Sequence, residues 1–367
     1  GGWITDNWSW RWIFYINIPI GLAGLFMLSV FLFDPPYLKR PERIDGWGLC
    51  FMVLGFGALQ LVLDRGEREE WFASDWIVGL SVLACSALLA FLVRQLITDH
   101  PVMDLGVFRN LNFALSTAVI TIVATGLYSG MILLALYAQT LLSYDAWTSG
   151  LVLAPGGVGT LFSLVLAGWL VNRVDSRWML VFGAVTNAVA FYAMSQATLE
   201  VDYWGLAWPR FLHGFGMAFL FVPLTTLAFA TVHKAKLGNA TTVYNVIRNI
   251  GGSVGVAVVA TLLARRSQVH QVTLVSHVNV WDPETALRLQ QWTDYFLRQG
   301  ADGFTAQRQA LAMLYRSTVE QARVLAFQDD FWLLAILFAL ILVAIPFMRR
   351  ISMESPGDPP GRGPAPD

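Results

Sequence analysis

The chain has 367 residues, 56% of them apolar and only 13% charged, with a formal net charge of −1 at neutral pH. A soluble domain carries roughly 25% charged residues, and one with a mean hydropathy of +0.56 would leave large apolar patches in water. The composition describes a multi-pass membrane protein. It excludes the basic face of a nucleic-acid-binding protein, and two cysteines, Cys50 and Cys85, both inside apolar runs, supply neither a disulfide framework nor a metal cluster.

In chain order, the sequence opens on Gly1-Gly2-Trp3, without Met and without a signal peptide, which reads as a piece lacking its true N-terminus. A bilayer span needs about 20 mostly apolar residues. Nine stretches meet that requirement: 12–33, 46–63, 76–97, 113–137, 150–171, 179–199, 206–232, 240–263 and 331–348. Lipid cannot satisfy backbone polar groups, so each is expected to be an α-helix. The ~10-residue alternating segments of a membrane β-barrel do not occur. The expected fold class is an all-α membrane protein with nine transmembrane helices.

Orientation follows from Lys and Arg in the short connections. One alternate set carries Lys39, Arg40, Arg43, Arg94, Arg109, Arg173, Arg177, Lys234, Lys236, Arg349, Arg350 and Arg362, and the other only Arg11, Arg65 and Arg68. The first set is expected to be cytoplasmic. Nine spans then start outside and end inside, an odd number that again points to helices upstream. The segment from Ala264 to Asp330 is one long loop on the outer side. In it Leu289, Trp292 and Phe296 share a helical face, as do Leu311, Leu314 or Tyr315, Val319 and Ala322. Asp282-Pro283 has the pattern of an N-cap with Pro at the first helical position. Two readings stand: a short helical hairpin lying on the outer mouth, or a docking surface for a periplasmic partner. The Pro/Gly-rich tail, 351–367, is expected to be a disordered cytoplasmic segment.

Polar groups inside a span are costly and tend to face a cavity. Arg210 and His213, at i and i+3, share one face of the seventh span, where Pro209 and Pro223 could break or kink the helix. Arg210 reads either as a snorkelling charge or as a cavity group, and His213 either as a proton carrier or as a hydrogen-bonded structural histidine. Asn245, Arg248 and Asn249 form one polar stripe down the eighth span, lining a cavity or pairing with another helix. Tyr128, Gln139, Asn187 and Gln196 are further polar groups that either bond between helices or face a cavity. Small residues, Gly156, Gly157 and Gly159 after Pro155 and Gly251 with Gly255, allow close helix approach. No Asp or Glu falls in the middle of a span; Asp64 sits at an outer end. With no P-loop and no metal-ligand spacing, an ATP-driven pump or a membrane metalloprotease has no sequence support, and neither an enzyme activity nor a cofactor is expected.

The opening GGWITDNWSWRWIFYINIPIG resembles the end of the antiporter motif and the helix after it in the fourteen-span drug:proton antiporter branch of the major facilitator superfamily, EmrB/QacA type and more EmrB-like. LQLVLDRGEREEWFASD (59–75), DLGVFRNLNF (104–113), WPRFLHGFGMAFLFVPLTT (208–226) and NVIRNIGGSVGVAV (245–258) resemble further segments of that family, in order, up to the tail. The resemblance implies that the nine spans correspond to helices 6–14 of 14. Residues 1–37 would end the N-terminal six-helix half, 38–112 would be the inserted two-helix region, and 113–350 the C-terminal half including the loop 264–330. Gly1 and Gly2 would end the antiporter motif. The loop GWLVNRVDSR would be the cytoplasmic gating motif, with Arg173, Asp175 and Arg177 present and Asn172 where the family has Asp. The family's coupling carboxylate and its Arg on the fourth helix would lie upstream of Gly1.

The resemblance further implies a drug-resistance efflux protein of the inner (plasma) membrane. It would exchange lipophilic small molecules for protons by alternating access, with a periplasmic membrane-fusion adaptor as partner and no nucleic acid. The 24 Phe, 15 Trp and 10 Met suit a broad, adaptable pocket. The alternatives are an exporter of one endogenous compound (a siderophore, fatty acid or antibiotic), an inactive truncated fragment, or a non-transporting scaffold. The polar stripe at 245–249 argues against the scaffold.

Overall fold

A computed structural model describes residues 2–32, 45–98, 101–233, 236–279 and 281–348. Gly1, the tail 351–367, the boundary at residues 37 and 38, and the basic residues Lys39, Arg40, Arg43, Lys234, Arg349, Arg350 and Arg362 lie outside them. The helices are α1 (Gly2–Asn7), α2 (Trp12–Tyr15), α3 (Asn17–Phe31), α4 (Gly46–Arg65), α5 (Asp75–Ile97), α6 (Leu111–Thr140), α7 (Ala146–Leu170), α8 (Ser176–Met194), α9 (Tyr203–Ala230), α10 (Leu237–His277), α11 (Pro283–Arg298) and α12 (Gly303–Ala344). With α2 and α3 taken together, nine of the described helices are long and apolar enough to cross a membrane.

Most helices begin where a short side chain can accept from the unpaired N–H groups of the first turn. Asp45 accepts from Gly48, Asn110 from Phe113, Asp145 from Thr148, Asp202 from Gly205, Asp282 from Thr285 and Asp302 from Thr305. Bonding to Thr148 and Thr305 holds the Asp145 and Asp302 carboxyls below the usual carboxylate range. The predicted cap at Asp282, followed by Pro283, is in place. α9 continues as a helix through Pro209 and Pro223.

Helices α6, α7, α8, α9, α10 and α12 form one bundle around Phe113, Ile120, Tyr137, Phe191, Phe331 and Phe338, each no more than 1% exposed. Small residues set the crossings. On α6 and α10, Thr121 fills the space beside Gly251, and the Thr125 hydroxyl donates to the Gly251 carbonyl at 3.0 Å. On α7 and α9, a Cβ at Gly214 would overlap the Gly156 carbonyl, and the Thr160 hydroxyl reaches both the Gly156 and Gly214 carbonyls, at 2.8 and 3.0 Å. Helices that close lose little conformational freedom and gain dispersion contacts along the whole crossing.

α4 and α5 pack on each other through Ala58, Val62, Ile77, Leu80 and Ala84. A polar chain ties this pair to the bundle. Arg94 on α5 bridges to Asp45 at 3.1 Å, the Gln95 side chain accepts from the Met103 amide, and Asp104 pairs with Lys236 at 2.7 Å while its backbone exchanges two hydrogen bonds with Asn239. The Lys236 ammonium holds the Asp104 carboxyl below its ordinary value. α3 buries none of its side chains.

The segment 264–330 differs from the expected loop with a hairpin lying on the mouth. α10 runs on without a break to His277, α12 starts at Gly303 and is continuous with the last span, and only α11 stands as a separate helix, packed on α12. At 1.5 Å per residue each long helix is about 60 Å, roughly twice the hydrocarbon thickness. Neither 264–277 nor 304–344 contains Gly or Pro, so nothing stops the helix where the hydropathy falls.

A polar cleft and a buried polar cluster

Two groups of polar side chains stand out. The first faces a cleft of about 520 Å³ between the end of α4, the middle of α6 and the middle of α10. Tyr128 and Asn249, both singled out from the sequence, line it together with Gln60, Asp64, Glu67 and Ser253. The Tyr128 ring lies against Gly252, where any Cβ would displace it. On the same helix Asn245 and Arg248 are half-buried. Arg248 is one turn from Tyr244, and its Nε and the Tyr244 hydroxyl are buried without a hydrogen-bond partner among the described residues. Of these three residues Asn249 opens into the cleft.

The second group is enclosed in the bundle. His213 is fully buried, its ring 4.7 Å from Phe191 and 6.3 Å from Phe338, and neither nitrogen has a partner among the described residues. Arg210, one turn earlier, is 8% exposed and its Nε lies against Gly156 of α7, also without a partner. Asn187 donates to the Gly183 carbonyl at 2.7 Å, presses on Gly216 and leaves its side-chain oxygen without a partner among the described residues. Unpaired buried polar groups cost about 1–3 kcal/mol each, so such a cluster persists where water, a ligand or a second arrangement of the helices satisfies it.

The remaining sequence-selected residues lie elsewhere. Gln139 is exposed near the end of α6, apart from both groups. Gly2 sits on the backbone at the start of α7, where a Cβ would overlap the Ala146 carbonyl, and Asp6 of the same short helix accepts from the Trp147 amide at 2.9 Å. At the α7–α8 turn Arg173 lies over the Trp169 ring at 3.9 Å, Asp175 caps α8 by accepting from the Arg177 amide at 3.0 Å, and the Arg177 Nε is buried without a partner among the described residues. The described residues contain no cluster of three metal-ligating side chains.

Sequence reasoning missed Gln60 and Glu67 as cleft residues. Their spacing around Asp64, at i−4 and i+3, was the available signal for one face of α4. It also missed Asp330, which is 1% exposed and lies one residue before the last apolar run.

A helical bundle crossing the membrane many times, with glycine-set crossings and polar side chains facing a cleft, is the build of a membrane transporter. The chain belongs to the Major Facilitator Superfamily, whose family model matches residues 1–256. It is 31% identical over 351 residues to the multidrug export protein EmrB of Escherichia coli K12, covering 95% of this chain and 67% of that one. It is 33% identical to the fatty acid resistance protein FarB of Neisseria gonorrhoeae, covering 97% and 69%. It is 34% identical to the probable multidrug resistance protein EmrY of Escherichia coli K12, covering 77% and 56%. The chain thus spans about two thirds of the length of the first two, and the expected resemblance to the EmrB-like antiporters holds over most of it.

Proposed function

We propose that the protein exports lipophilic small molecules in exchange for protons, one helical half rocking against another so that the cavity opens to each side in turn. The observation that carries this reading is the cleft shared by Tyr128 and Asn249, the latter one residue after the half-buried Arg248 on α10, inside a chain similar to multidrug export proteins. Tyr128 offers an aromatic face to an amphipathic or cationic substrate, and the cleft lining carries charge of both signs, Asp64 and Glu67 beside Arg68. The likeness to a fatty acid resistance protein favours a second reading, export of a fatty acid. Cells producing the full-length protein should accumulate less ethidium than control cells, and a protonophore should restore accumulation. Efflux that survives collapse of the proton gradient overturns the coupling; protection against long-chain fatty acids without any effect on ethidium selects the second reading.

In the same proposal α10, α11 and α12 extend beyond the membrane on the side opposite the basic loops. There they would meet a membrane-fusion adaptor through exposed side chains such as Trp281, Tyr295, Phe304 and Tyr315. With Cys50 and Cys85 replaced by alanine, a cysteine at Ser276 should react with a membrane-impermeant thiol reagent in intact cells. Labelling that appears only after lysis reverses the orientation and removes the adaptor from it.

A further inference from the structure

Where α10 and α12 leave the apolar part of the bundle, two adjacent carboxylates are treated differently. Asp329 is 40% exposed and shared by two side chains of α10, the His270 imidazole through Nε2 at 2.8 Å and the Arg266 guanidinium through Nε at 3.6 Å. Asp330 is 1% exposed, and its Oδ2 is buried without a hydrogen-bond donor among the described residues. The charged groups that act on it are the adjacent Asp329 carboxylate on α12 and the Arg266 guanidinium on α10, while His270 of α10 reaches Asp329 and the Tyr137 hydroxyl of α6 is committed to the Thr198 carbonyl at 2.8 Å. α8 meets this part of α12 through Phe191 against Phe331, and His213 of α9 lies about two turns further along, against Phe338. An ionised carboxylate in that position would lack donors and sit beside a second negative charge, the two conditions that most disfavour ionisation. The neutral acid avoids both.

We infer that Asp330 is a proton-binding site held as the neutral acid, with the His270–Asp329–Arg266 cluster as the charged rim that determines when the proton leaves. The proton comes from water at that end of the bundle and returns to it through the partly exposed rim. The assignment goes beyond drug export and stands whether or not export is proton-driven.

Infrared spectra of the full-length protein in lipid nanodiscs test it. At about pH 6, two units above an ordinary aspartate, the carbonyl stretch of a protonated carboxyl should be present and should lose one component in Asp330→Asn. Asp329→Asn removes the neighbouring negative charge and should move the titration of that component to lower pH. Arg266→Gln removes the positive one and should move it to higher pH. Opposite shifts are not produced by a loss of packing. Identical spectra of the wild type and Asp330→Asn overturn the site. Should Asp330→Asn fail to fold, a titration unmoved by both neighbour variants overturns it equally.

Discussion

Replacing Arg248 by alanine is expected to abolish export while leaving the full-length protein in the membrane at its normal level, and Arg248→Lys is expected to retain little activity. The residue lies eleven positions, about three turns, from the start of α10. A charge in mid-span costs about 2.5–3.5 kcal/mol on the insertion scale, and here its Nε is buried without a partner among the described residues. The neighbours that could share the cost are Tyr244, one turn away with its own unpaired hydroxyl, and Asn245 on the same face. Such an arrangement is favourable only when water, substrate or another helix enters it, which ties the residue to the working cycle. Lysine preserves the charge but loses the planar fork of donors. Normal transport by the alanine variant, measured as dye efflux normalised to membrane content, would make Arg248 a structural charge. Loss of the protein from the membrane would make it an inter-helix anchor.

Gly214→Ala is expected to destabilise the bundle by about 1–3 kcal/mol, the usual cost of overpacking. A Cβ at that position overlaps the Gly156 carbonyl, and backbone cannot move aside as a side chain tip can. Separation of α7 from α9 would also strain the Thr160 hydroxyl that spans both carbonyls and shift Gly156 off the Arg210 side chain. Gly157→Ala is the control, because its added Cβ meets nothing within 4 Å. Thermal unfolding in detergent should separate the two variants, Gly214→Ala melting several degrees below wild type and Gly157→Ala within error of it. Equal melting temperatures would mean that the crossing relaxes without cost.

The spans were legible because hydropathy alone decides them. All nine were found in the sequence, and the first seven have ends that shift by only a few residues, as where Asp45, Asn110, Asp145 or Asp202 caps the first turn. The interior of 264–330 was legible as helical faces but not as two rods continuous with their spans, because a fall in hydropathy was read as an end of helix. A helix ends on backbone chemistry, and no Gly or Pro supplies it there. The same boundary hid Asp330. One residue from Phe331, it counts as loop by composition, yet burial is set by the helices packed against α12, which sequence alone does not place. Of the cleft, the α10 stripe and Tyr128 could be read from residues in apolar surroundings. Gln60 and Glu67 share a face with Asp64, but that spacing does not separate a cleft from ordinary surface near a helix end until α10 is seen across from it.

The unbroken helices α10 and α12 have a mechanical consequence. A rigid rod about 60 Å long that tilts by about 10° moves its far end by about 10 Å, while the packed part of the bundle moves far less. The extension therefore works as a lever arm on the two helices that carry the proton-binding carboxylate and the arginine stripe. Spin or fluorescent labels near His277 and Gly303 would register the tilt of the bundle as a displacement large enough to measure, and whatever grips the extension would be able to push back on it.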